Sequence, residues 1–189
     1  MAAYRGRSTR SLGAVIPQKL DRSDIESRIR RAFSGVQLDG GISIRQSQVI
    51  DRYGEGVTDA EFDALPSKEV TDEWTRIPPD ELDHACVSHF DAAGFRYYLP
   101  ALMLSVLSNY EARSRRVIGT ISALYPKNDG STYYERMYAL LDEAQRRAIA
   151  SFLTALPTLV ELWHEDATCV LRALRNYWGR YSDDGGIGT

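Results

Sequence analysis

The chain has 189 residues, 43% hydrophobic and 26% charged, with a net charge of −3 at neutral pH and two cysteines. That is enough apolar material for one large globular domain, and no run approaches the roughly 18 apolar residues needed to span a bilayer. The apolar stretch "LGAVI" in the basic N-terminal segment is too short for a secretion signal, and Cys86 and Cys169 sit inside helical patterns as small buried thiols, so the expected setting is the cytoplasm.

Charge is unevenly spread. Residues 1–20 carry Arg5, Arg7, Arg10 and Lys19 and no acid, whereas residues 51–91 carry twelve acidic groups against Arg52, Lys68 and Arg76. The acidic third disfavours nonspecific nucleic-acid binding and suits a basic partner.

In chain order, residues 1–20 show no apolar period and read as a flexible basic tail. "SDIESRIRRAF" opens the first helix, with Ser23 and Glu26 as a capping box and Ile25, Ile29 and Phe33 on one face. "SIRQSQVIDRYG" repeats the pattern: Ser43 and Gln46 form the box, Ile44, Val49, Ile50 and Tyr53 the stripe, and Gly54 the stop. Thr58 and Glu61 cap a short helix, the chain around Trp74 is irregular, and Pro79 suits the first turn of a restarted helix. Asp91 is read as capping a single turn that Gly94 ends.

The most unusual stretch is "GFRYYLPALMLSVL", residues 94–107. Proline disfavours a helical residue before it and cannot donate inside a helix. The expectation is therefore an extended segment over Phe95–Leu99, with Pro100 opening a helix over 100–112. That helix is apolar all round, which predicts a central position. The Tyr97 and Tyr98 hydroxyls need polar partners, which favours exposed tips.

Helix signals resume at "SRRVIGTISALYP", and 127–131 read as a turn. "TYYERMYALL" leaves room for a small β-hairpin near residues 131–140, with a helix as the alternative. Asp142 and Gln145 box a helical pattern carrying Ile149, Phe152, Leu153 and Leu156. A further helical segment is expected around "TLVELW", then a last helix capped by Asp166 with Val170, Leu171, Leu174, Tyr177, Trp178 and Tyr181 facing the core. The pattern gives a mainly α, compact multi-helix domain over residues 21–182, between tails at 1–20 and 183–189.

Several pieces in order, "SIRQSQVIDRYG", "WTRIP", "GFRYYLPALML", "LLDEAQRRAIASFL" and "YWG", resemble a family of uncharacterised bacterial proteins with a motif close to "GFRYYLPA". The resemblance spans roughly residues 42–180. It implies a bacterial or phage origin and brings no activity or catalytic residue with it.

Catalytic signatures are absent. His84 and His89 are five residues apart, about 140° round an ideal helix, which is poor metal-ligand spacing. There is no nucleophile elbow and no phosphate-binding glycine loop. The arginines at 113, 115 and 116, and at 172 and 175 beside Tyr177, are read as solubilising surface, with nucleotide or RNA binding as the sharper alternative. The lead expectation is a non-enzymatic module without a cofactor that binds another protein, in the manner of a toxin-neutralising or defence-accessory protein. Asp72, Glu73, Asp80, Glu81 and Asp83 would meet a basic partner. The alternatives are a small-ligand or nucleotide-binding enzyme using Arg96, Tyr97 and Tyr98, and a nucleic-acid accessory factor using the basic tail.

Deleting residues 1–20 is expected to leave the melting temperature nearly unchanged; a fall of more than about 5 °C would show that the tail packs on the domain.

Overall fold

The computed structural model describes residues 21–127 and 132–182. The tails expected at 1–20 and 183–189, and most of the turn at 127–131, lie outside the described residues. These residues form α1 (Arg22–Ala32), α2 (Ile44–Asp51), α3 (Asp59–Ala64), α4 (Pro79–Leu82), α5 (Ala92–Ser108), α6 (Arg115–Ala123), α7 (Tyr133–Met137), α8 (Glu143–Leu159) and α9 (His164–Asn176). Short 3-10 turns at Leu65–Lys68, Trp74–Arg76, Val87–His89 and Trp178–Tyr181 complete the pattern. No strand occurs among the described residues, so the fold is mainly α and the segment open to a hairpin is helical over Tyr133–Met137.

Local chemistry starts most helices as expected. Ser43 with Gln46, Thr58 with Glu61, and Asp142 with Gln145 all form reciprocal capping boxes. Helix α1 differs. Its cap is Asp21, which accepts from the Asp24 amide at 2.9 Å, while the Ser23 hydroxyl donates to the same carboxylate. A carboxylate two residues before Ser23 takes the role assigned to Ser23 and Glu26.

Helix α5 is the centre, and it overturns the expected break at Pro100. Asp91 caps it through the Gly94 amide at 2.8 Å, and the helix runs unbroken to Ser108, with Pro100 inside it and Gly94 in its first turn. An internal proline costs about 3 kcal/mol. Phe95, Tyr97, Tyr98 and Leu99 are all buried on the turns before it, and each such burial contributes about 1.5–3 kcal/mol. The packing outweighs the lost hydrogen bond. Helices α1, α4, α6, α7 and α8 all pack on α5, which is what an apolar circumference requires.

Gly94 does not end a turn. A Cβ there would lie 2.4 Å from the Ile42 carbonyl oxygen, and a Cβ on Gly41 would lie 2.5 Å from the Gly94 nitrogen. The two glycines let the segment before α2 cross directly over the first turn of α5. Asp91 Oδ1 fixes the crossing by accepting from the Ile42 amide at 2.9 Å as well as from Gly94.

The C-terminal half closes through α8 and α9. The segment "TLVELW" is not a separate helix: α8 continues through Pro157 to Leu159, and residues 160–163 connect it to α9. Helix α9 starts at His164, and Asp166 is not its cap. Instead the Tyr110 hydroxyl donates to Asp166 at 2.6 Å and accepts from the Trp163 amide at 2.7 Å, which satisfies the helix start from a neighbouring segment. Trp178 is buried, with its indole donating to the Leu124 carbonyl at 2.7 Å. Leu171, expected in the core stripe, is 58% exposed, and Tyr53 at the end of α2 is 95% exposed.

Leu102, at the middle of α5, is fully buried. Leu102→Ala is expected to cost about 2–5 kcal/mol in chemical denaturation, as transfer plus cavity terms. A change below about 0.5 kcal/mol would place this residue at a surface.

Candidate functional site

The aromatic motif at the start of α5 is sealed. Tyr97 is 0% and Tyr98 1% exposed. The Tyr97 hydroxyl donates to the Val70 carbonyl at 2.9 Å, and the Tyr98 hydroxyl donates to Glu69 Oε2 at 3.0 Å. The expected exposed tips are replaced by internal partners. Glu69 is itself committed: its two oxygens accept from the Ile44 and Arg45 amides at 3.2 and 2.9 Å, so a carboxylate sits at the positive end of α2. Arg96 donates through Nε to Gln145 Oε1 at 3.3 Å, the oxygen that also caps α8. The three residues do not converge on a pocket; they join α5 to α2, to the 69–70 segment and to α8.

The acidic residues singled out by sequence divide into two groups. Glu81 pairs with Arg45 at 3.4 Å, and Asp83 pairs at 2.6 Å with Arg116, whose side chain is 5% exposed. Asp83 therefore neutralises a buried guanidinium. Asp72 and Glu73 are exposed and share Arg76 at 3.3 and 4.0 Å, and Asp80 is exposed on α4.

A cleft of about 590 Å³ opens between the 37–41 loop and the 63–72 segment. Asp39, Asp63 and Asp72 lie on its walls, no Lys or Arg lines it among the described residues, and Gly40 and Gly41 lie along it. The Leu38 amide donates to the Thr71 carbonyl at 2.9 Å, which holds the two walls together. Asp39 and Asp63 have no cation within ion-pair distance among the described residues. Sequence reasoning located the charge but missed these two. Asp39 stands at φ 50°, in the left-handed region, ahead of Gly40, and the Asp-Gly pair was the available turn signal.

The histidines and cysteines do not assemble a catalytic group. His89 Nε2 lies 3.2 Å from Asp51 Oδ1, and His84 is exposed on its own. No cluster of three or more His, Cys, Asp or Glu with metal-binding arrangement occurs among the described residues. Burial pushes the Cys86 thiol up, as does nearby Asp51, and burial likewise raises Cys169, so neither is an activated thiolate. No helix among the described residues is long and apolar enough to cross a membrane.

Residues 21–182 match a family of unknown function, DUF6714, and the chain belongs to that family. No curated protein and no solved structure matches it.

Burial raises the hydroxyl pKa of Tyr97, Tyr98 and Tyr138, and that of Tyr133 to about 12. A folded-state pKa above the unfolded value favours the protonated, folded form below pH 10 and loses that advantage as pH rises further. The urea midpoint is therefore expected to fall steeply between about pH 10 and 12; a flat midpoint across that range would contradict the internal hydroxyl network.

Proposed function

We propose that this chain is a non-enzymatic protein-binding module that takes a lysine or arginine side chain of a partner protein in the cleft of Asp39, Asp63 and Asp72. The observation that carries this reading is a concave lining in which, among the described residues, no cation occurs and two carboxylates have no ion-pair partner. Asp80 and Glu73, also exposed, extend the same charge over the surrounding segment. Such an arrangement speeds encounter with a basic surface and rejects acidic ones. The alternative of a small-ligand or nucleotide-binding enzyme using Arg96, Tyr97 and Tyr98 has less support, because the two tyrosines are buried and all three side chains are committed to internal hydrogen bonds. We place the protein in the bacterial cytoplasm, where a basic toxin or defence component is a partner of the fitting charge.

The test is zero-length carbodiimide cross-linking of the protein with partners captured from bacterial lysate, followed by mass spectrometry. Cross-links from partner lysines to Asp39, Asp63 or Asp72 are expected, together with at least tenfold weaker capture by the Asp39→Asn/Asp63→Asn/Asp72→Asn variant and weakening by added salt. Equal capture by that variant, or cross-links confined to other carboxylates, would contradict the reading.

A further inference from the structure

A second cavity, of about 700 Å³, lies between the 85–88 segment, the length of α6 and the start of α7, and shares no lining residue with the acidic cleft. Its character is opposite. Arg113 and Arg115 line it, and neither has a carboxylate within ion-pair distance among the described residues. Arg113 is held over the Trp163 ring at 4.8 Å, and Arg115 Nη1 lies 3.8 Å from Cys86 Sγ. The one carboxylate in the lining, Asp51, faces His89 at 3.2 Å. Val87 and Ile118 supply apolar surface, and Gly119 lets α6 pack closely on Val87, since a Cβ there would press on Val87 Cγ2 at 3.1 Å. Tyr133 and Tyr134 form an aromatic wall, packed edge to face at 5.1 Å, and the Tyr133 hydroxyl is pinned to the Ser88 carbonyl at 3.0 Å.

We infer that this cavity binds a mononucleotide, with Arg113 and Arg115 taking the phosphate and the tyrosine wall with Ile118 taking the flat base. Arginine forks match phosphate geometry, aromatic side chains and apolar surface accept a base face regardless of its identity, and the volume falls within the range of roughly 300–1,000 Å³ typical of small-ligand sites. A further observation concerns the helix itself. The first turn of α6 carries Arg115 and Arg116 and no acid, although the positive end of a helix disfavours cations. Arg116 is answered by Asp83; the charge on Arg113 and Arg115 is left for an anion from outside.

The experiment is isothermal titration of the full chain with AMP, GMP, CMP and UMP, and with inorganic phosphate and adenosine as half-ligands. At least one monophosphate is expected to bind with a Kd below about 1 mM, at least tenfold tighter than phosphate or adenosine, and to raise the melting temperature. Arg115→Ser is expected to weaken that binding at least tenfold without lowering the melting temperature of the free protein, since it removes a cation from a helix start. Tyr134→Leu is expected to weaken nucleotide binding and leave phosphate binding unchanged. Failure of all four monophosphates to bind, equal binding to Arg115→Ser, or binding of a phosphotyrosine peptide in place of every nucleotide would overturn the inference.

Discussion

Asp91 Oδ1 accepts two backbone amides, Gly94 at the start of α5 and Ile42 in the segment before α2, and the rest of the domain is arranged around that crossing. The two segments meet with no room for a side chain at Gly41 or Gly94. Once they meet, the start of α2 lies against α5, where Glu69 can cap it and receive the Tyr98 hydroxyl. This half-buried carboxylate accepts from two amides and a phenol, so hydrogen bonds rather than a cation satisfy it. A single junction thereby ties three stretches distant in sequence, 41–46, 69–70 and 91–98.

The same logic extends to Trp74, Arg146 and Gly179. The Trp74 indole donates to the Phe33 carbonyl at 2.8 Å and closes α1 onto the 74–76 turn. Arg146 gathers the Leu141 and Tyr138 carbonyls and the Tyr177 hydroxyl. Gly179 is small because a Cβ would lie 2.7 Å from the Leu174 carbonyl. Each of these residues satisfies a backbone group or permits a close approach. The two cavities lie apart from these internal contacts. Helix α2 links them: Gln46 lines the acidic cleft, and Asp51, one and a half turns on, lines the cationic one.

Much of the fold was legible because it rests on short-range chemistry. The boxes at Ser43, Thr58 and Asp142 need only residues three apart, and the apolar circumference of "LPALMLSVL" announced a central helix. Misreadings came where distant partners decide. Pro100 broke the helix on local rules, but burial of the residues before it kept the helix whole. Asp166 looked like a cap until Tyr110, 56 residues away, is seen to hold it. The acidic third showed where the charge lies, yet not that Asp83 is spent on Arg116 while Asp39, outside that third, completes the cleft. The arginines of α6 read as solubilising surface, because their cavity is completed by Tyr133 and Tyr134 across a connection no sequence period reveals.

The central claim is that the crossing at Gly94 organises the domain, and Gly94→Ala measured by urea unfolding tests it most directly. In a helix free of outside contacts, alanine in place of glycine stabilises by about 1 kcal/mol. Against a carbonyl oxygen 2.4 Å from the new Cβ, the account predicts the opposite sign, a loss of about 1–3 kcal/mol as in overpacked cores. A variant as stable as the parent, or more stable, would contradict it.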